Sequence, residues 1–294
     1  MMRAKRPPWL DRKIDFRAMH ETEQRLRDLD LHTVCHQARC PNISECFSRG
    51  TATFLILGDI CTRNCSFCGV KHGKPLQTVT DEAVPVAEAV RRLQFRHAVI
   101  TSVTRDDLPD GGAGAFAAVI AELKRAESPP VIEVLVPDFN GDENSIRAVV
   151  DAGPNIFGHN LETVPSLYGV RCSCDYGRSL KVLEIAKKLS PAAKTKSGLM
   201  VGLGETEEEI IDVMGDLRGV GCDYLSIGQY LQPGRENIPV KEYVRPERFE
   251  RYRDIALGLG FLHVESGVYV RSSYMADRYG ERNPPPLMGG VRGG

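Results

Sequence analysis

The chain has 294 residues, with 38 basic against 39 acidic side chains, 42% apolar residues and 26% charged ones. A formal net charge of −1 supplies no basic field for a polyanion, which sets nucleic-acid binding aside as the main function. The apolar content reads as a folded chain, no apolar run reaches the ~18 residues of a membrane span, and the polar stretch Met1–Asp15 lacks the apolar core of a secretory signal, so a cytoplasmic protein without a membrane partner is expected.

Residues 1–50 are rich in charge with little regular period, and one helix fits Arg17–Leu31, with Leu26 and Leu29 turned inward. From Thr51 the pattern becomes regular. Strand-like apolar runs fall at Thr53–Ile60, His97–Val103, Val131–Val136, Asn155–Asn160, Ser197–Leu203 and Tyr224–Leu231. Helical segments alternate with them at Val84–Leu93, Gly114–Lys124, Glu143–Ala152, Ser179–Leu189 and Glu207–Leu217. In the last of these Ile210, Val213, Met214 and Leu217 share one face, and Thr206 with Glu209 three residues on forms a capping box. A further helix fits Pro246–Leu259, followed by a short extended stretch, Phe261–Val270. Six strand–helix repeats imply right-handed βαβ units on a parallel sheet, either doubly wound or closed into an incomplete (β/α) barrel. Periodicity alone does not separate these. The tail Asn283–Gly294 holds three prolines and four glycines and is expected to be disordered.

The nine cysteines are distributed unevenly: six lie between Cys35 and Cys68, and Cys172, Cys174 and Cys222 are scattered. An odd number in a chain of this length without an export signal argues against a disulfide framework and for metal or redox chemistry. Cys35, Cys40 and Cys46 form one triplet. Cys61, Cys65 and Cys68 form a second, directly after the first strand, where parallel α/β folds place their chemistry. Three thiolates can hold three corners of an iron–sulfur cubane and leave the fourth iron reactive. The alternative is a structural zinc site of three cysteines with His36 or His72, although an x3–x2 triplet fits paired zinc knuckles poorly. Cys172, Cys174 and Cys222 read as small buried hydrophobes without a role.

The run Cys61-Thr62-Arg63-Asn64-Cys65-Ser66-Phe67-Cys68 resembles the signature of radical S-adenosylmethionine enzymes. The upstream triplet, together with Arg271-Ser272-Ser273-Tyr274, narrows the resemblance to the lipoyl synthases. It continues through Gly50–Phe54, Thr101-Ser102-Val103 with Arg105-Asp106-Asp107, His159-Asn160-Leu161-Glu162, Lys196–Thr206 and Gly228–Pro233, covering residues 30–276. Biotin synthase and the methylthiotransferases build their second cluster from other segments.

The resemblance implies an α/β fold: a six-stranded partial (β/α) barrel of the TIM type at 51–260. It is preceded by an extension, 1–50, carrying the auxiliary-cluster cysteines and followed by a serine-motif segment, 261–282, and the tail 283–294. It implies two [4Fe–4S] clusters and S-adenosylmethionine as cofactors. Cys61, Cys65 and Cys68 would hold the cluster that binds S-adenosylmethionine. Cys35, Cys40, Cys46 and Ser273 would hold the auxiliary one, serine being a hard ligand suited to an iron that must be lost. The implied reaction inserts two sulfur atoms, at C6 and C8 of an octanoyl chain on a carrier-protein lysine, through a 5′-deoxyadenosyl radical. No side-chain acid or base breaks such a C–H bond, so the chemistry belongs to the clusters and S-adenosylmethionine. The implied partners are octanoylated lipoyl carrier domains (E2 subunits of 2-oxoacid dehydrogenases and the glycine cleavage H protein), an electron donor such as ferredoxin or flavodoxin, and an iron–sulfur carrier for cluster repair.

Ser102, Asn160, Gly202 and Tyr230 are candidates for contact with S-adenosylmethionine. Gly202 belongs to the run Gly198-x-Met200-x-Gly202-x-x-Glu205, whose plain reading is a strand ending in a helix cap. Arg271 is a candidate contact for the substrate protein or a support of the serine segment. Arg63 and Lys71 would offset cluster or carboxylate charge, or lie solvated at the surface.

Overall fold

In the computed structural model, residues 6–11, 40, 42–48, 51–75 and 82–279 are described. The helix expected at Arg17–Leu31, Cys35, and the tail 283–294 lie outside them. No helix among the described residues is long and apolar enough to cross a membrane.

Seven strands form one all-parallel sheet: β1 (Thr51–Ile56), β4 (His97–Ser102), β5 (Val131–Leu135), β6 (Ile156–Gly158), β7 (Lys194–Val201), β8 (Tyr224–Gln229) and β9 (His263–Gly267), in that order. The two-residue strands β2 (Ile60–Cys61) and β3 (Lys71–His72) pair separately within the loop after β1. The connecting helices are α2 (Ala83–Arg92), α3 (Ala113–Lys124), α4 (Glu143–Asp151), α5 (Tyr176–Leu189), α6 (Glu207–Gly219) and α7 (Pro246–Gly258); a short α1 (Ile43–Ser48) precedes β1. Apart from β9, the main strands are mostly buried, as expected where helices cover a parallel sheet, which is why most of them read as apolar runs.

Each helix turns one apolar stripe to the sheet. In α6 that stripe is Ile210, Val213, Met214 and Leu217, and the capping box is present: Glu209 N donates to Thr206 Oγ1 at 3.2 Å, and Thr206 N to Glu209 Oε2 at 2.8 Å. In α4, the Asp142 carboxylate accepts from Ser145 N at 2.8 Å and caps the helix.

One expectation needs correcting. The stretch Phe261–Val270 carries a seventh parallel strand, β9, paired to β8 from Tyr224↔His263 to Gly228↔Gly267. The helix α7 before it is therefore a crossover between two parallel strands. β1 and β9 end the sheet without pairing to each other, so the barrel is partial.

The chain after β9 lies against β1 and α1. Asn42 Nδ2 donates to Tyr269 O at 2.6 Å, the Tyr274 hydroxyl lies 3.2 Å from each Glu45 oxygen, and Thr53 Oγ1 donates to Ser273 Oγ at 2.8 Å. Further on, Tyr279 is buried with its ring centroid 3.5 Å from Lys196 Nζ. Lys196 is itself paired to the buried Glu133 at 2.8 Å, whose other oxygen meets His97 Nε2 at 3.0 Å.

Candidate active site

The loop carrying Cys61, Cys65 and Cys68 is tied down at both its backbone and its sulfurs. Cys61 sits in the β2–β3 bridge, its carbonyl accepting from Gly73 N at 2.9 Å. Thr62 N donates to Thr104 O at 3.0 Å, Ser66 N to Val170 O at 2.9 Å, Ile238 N to Ser66 O at 3.0 Å, and Asn237 Nδ2 to Cys68 O at 2.8 Å. Segments following β4, β6 and β8 thus hold one loop at the carboxyl ends of the strands. Backbone N–H groups face two of the sulfurs: Arg63 N to Cys61 Sγ at 3.4 Å and Val70 N to Cys68 Sγ at 3.5 Å. Such donors favour thiolate ligands.

The three cysteines line a cavity of about 230 Å³ whose other walls include Ser102, Leu135, His159, Asn160, Glu162 and Arg171. Ser102 Oγ and His159 Nε2 are buried polar atoms without a protein partner in this cavity wall. His159 donates from Nδ1 to Val136 O at 2.9 Å; burial, aided by the Arg171 charge, holds its pKa down to about 4. The ring is therefore neutral and its Nε2 is an acceptor. Asn160 Nδ2 donates to Glu162 Oε1 at 3.0 Å, and burial pushes the Glu162 carboxyl above its usual range.

Arg63 is buried, which removes the surface reading. It donates from Nε to Asp106 at 2.7 Å and lies 2.8 Å from Asp138. Burial alone would raise Asp138, yet the Arg63 hydrogen bond and charge bring it down to about 2. Lys71 is exposed and pairs with Asp59 at 3.0 Å. Its charge is solvated.

A second cleft brings together Cys40, Cys46, Ser273 and Arg271, residues from opposite ends of the chain. It is tight, about 10 Å³, roughly the space of one water. Arg271 lines this cleft and donates from Nη1 to Val270 O at 2.7 Å. Ser272 Oγ donates to Asn160 Oδ1 at 3.1 Å, which ties the serine segment to the wall of the first cavity.

Gly202 and Tyr230 are not among the residues lining the cavity. Gly202 has φ +100°, and a Cβ there would lie 2.4 Å from Glu242 O, so its glycine serves close backbone packing. The Tyr230 hydroxyl donates to Ile238 O at 2.8 Å, steadying the strap over Cys68. The sequence alone assigns His159, Glu162 and Arg171 no role. The first two flank Asn160 in a motif already noted, and that adjacency was the available signal.

Residues 55–217 match the family described as the radical SAM superfamily. Among solved structures, methylornithine synthase aligns over 91% of both chains with a TM-score of 0.54 at 14% identity. The hydrogenase maturase HydG aligns over 85% of this chain and 66% of its own with a TM-score of 0.54 at 13% identity. These share the fold. The lipoyl synthase of Geotalea uraniireducens is 59% identical over 276 residues, 94% of this chain and 98% of that one. Those of Geobacter sulfurreducens and Caldicellulosiruptor saccharolyticus are each 54% identical, over 288 and 279 residues, 97% and 94% of this chain and 95% and 98% of theirs. The chain belongs to the lipoyl synthase family.

The cofactors of a radical SAM lipoyl synthase are S-adenosylmethionine and [4Fe–4S] clusters, and the residues present suit them. Among the described residues no three His, Cys, Asp or Glu side chains converge as ligands of a single ion, the geometry a zinc site needs. A cubane instead spreads its cysteines over separate irons, as a triplet ringing a cavity does. The unpartnered Ser102 Oγ and His159 Nε2 suit a polar organic cofactor beside it. At the second cleft the donor set of thiols and a hydroxyl fits.

Proposed function

We propose that this chain inserts sulfur at C6 and C8 of an octanoyl group carried on a protein lysine, with Cys61, Cys65 and Cys68 holding the cluster that binds S-adenosylmethionine. Cys40, Cys46 and Ser273, together with Cys35 outside the described residues, hold the auxiliary cluster. When bound, these groups supply a carbon-centred radical and the sulfide. The chain's own residues bind, orient and exclude water.

In this reading Ser102, Asn160 and the neutral His159 hold S-adenosylmethionine, His159 as a hydrogen-bond acceptor. Arg63 is too well neutralised by Asp106 and Asp138 to bind a carboxylate itself; it braces the cysteine loop. Arg271 orients the serine segment. The octanoyl chain lies between the two sites, where Leu135 and Val136 offer apolar wall. Placement of the reacting carbon between two fixed groups is the protein's main contribution to rate. The substrate is a protein-bound octanoyl group and the reaction draws on an electron donor. E2 subunits of 2-oxoacid dehydrogenases and the glycine cleavage H protein are the proposed carriers, ferredoxin or flavodoxin the donor, and an iron–sulfur carrier the source of repair.

The observation that carries this reading is the Ser272–Asn160 hydrogen bond of 3.1 Å, which ties the residue between Arg271 and Ser273 of the second cleft to the wall of the cavity lined by Cys61, Cys65 and Cys68. The test is anaerobic incubation of the reconstituted protein with reductant, S-adenosylmethionine and an octanoyl-lysine peptide. Mass spectrometry should detect two sulfurs gained and two 5′-deoxyadenosines released per peptide. A peptide left without sulfur while 5′-deoxyadenosine accumulates would refute the assignment of the second site.

A further inference from the structure

Cys172 and Cys174 are not explained by the proposed reaction, yet the fold brings them to the reactive loop. Ser66 N and Ser66 Oγ both bond to Val170 O, at 2.9 and 3.2 Å, which presses the cysteine loop against the segment that carries them. The Cys65 and Cys174 thiols interact with each other, and the Cys172 backbone acts on the Cys65 sulfur. Arg63 Nη1 donates to Cys174 Sγ at 3.1 Å and fixes that sulfur in place. Cys65 and Cys174 are both partly exposed, so small oxidants can reach them.

We propose that Cys174 is a resolving thiol for Cys65: in the cluster-free chain, hydroperoxide joins the two as a reversible disulfide. This rests on the reading of Cys65 as a cluster ligand. One sulfur attacks a peroxide oxygen, the O–O bond breaks, and a sulfenic acid forms with release of one water. The second thiol displaces the sulfenic hydroxyl as a second water and closes the S–S bond. Two thiols are oxidised by two electrons and hydrogen peroxide is reduced to two waters. The disulfide keeps Cys65 from reaching the sulfinic acid, which thiols do not reduce. A dithiol then returns both cysteines, and Cys65 turns back to bind iron.

The test uses the full chain, stripped of iron by a chelator under argon, treated with hydrogen peroxide, alkylated and digested for mass spectrometry. The wild type should yield a Cys65–Cys174 cross-linked peptide that dithiothreitol cleaves, after which iron and sulfide restore the cluster absorbance. In Cys174→Ser, which keeps a polar atom for Arg63, Cys65 should carry two added oxygens and cluster recovery after dithiothreitol should fall at least five-fold. Cys172→Ala should still form the cross-link. Cys65 paired instead to Cys61 or Cys68, or recovering equally in Cys174→Ser, would overturn the proposal. Iron content of unoxidised Cys65→Ala is the separate check: full retention there would refute the ligand reading and leave the peptide map intact.

Discussion

Thr53, in the first strand of the barrel, donates a hydrogen bond of 2.8 Å to Ser273, 220 residues further along the chain. The bond crosses the open edge between β1 and β9, where no backbone pairing holds the sheet. It orients the serine hydroxyl against Cys40 and Cys46.

Replacing Thr53 with valine keeps the shape and removes the bond. A hydrogen bond of this kind contributes about 1 kcal/mol, or about five-fold in a rate that depends on the serine's position. Sulfur incorporation should fall by that factor, with 5′-deoxyadenosine release within two-fold of wild type, both read from one reaction by mass spectrometry. Equal losses in the two products would count against a role confined to the second site.

Gly228 lies under the serine segment, and a Cβ there would sit 2.0 Å from Val270 O. Gly228→Ala should push Val270–Ser273 outward. Overpacking of this sort costs about 1–3 kcal/mol. Reconstituted iron should drop towards half while the cluster at Cys61, Cys65 and Cys68 persists, measured by iron analysis alongside thermal unfolding. Undiminished iron would show that the segment tolerates the shift.

His159 gives a pH dependence with a definite sign. Its pKa is about 4 in the folded chain against 6.5 in the unfolded one, first through burial and then through Arg171. Its neutral form therefore contributes stability that is fully present above pH 6.5 and lost as pH falls towards 4. At pH 5 the loss should be about 2 kcal/mol by the usual 1.36 kcal/mol per pKa unit. Urea unfolding at pH 7 and pH 5 should show that drop in wild type and a smaller one in His159→Gln.

The buried Lys196–Glu133 pair, 2.8 Å apart, lies beneath Tyr279, which ends the described part of the serine segment. Glu133→Leu alone should cost about 3–5 kcal/mol, because it leaves the buried Lys196 unpaired, and Lys196→Met less, because His97 still faces Glu133. The double variant should recover most of that loss in denaturant unfolding. Additive losses would mean that the pair is not coupled.

Much of the barrel was readable from apolar runs and helical stripes, because a covered parallel sheet makes both patterns strong. β9 reads only as extended in the sequence: His263–Gly267 carries His, Glu, Ser and Gly and buries only Val264, so its place in the sheet comes from pairing with β8 and not from an apolar run. The cysteine triplets and the serine motif were visible as spacing and resemblance. The burial of Arg63 was not, since it depends on Asp106 and Asp138, which only the closed barrel brings to it. The same holds for Cys174, whose approach to Cys65 follows from the packing of residue 170 against residue 66. Gly202 and Tyr230 stand out in motifs but are not among the residues lining the cavity, because a motif marks closeness in sequence and not which way a side chain points.

The division of labour between the two cysteine sets is tested most directly by Cys40→Ala, assayed anaerobically with reductant, S-adenosylmethionine and octanoyl-lysine peptide. The expected result is continued release of 5′-deoxyadenosine with no sulfur in the peptide. Full sulfur insertion by Cys40→Ala would contradict the account.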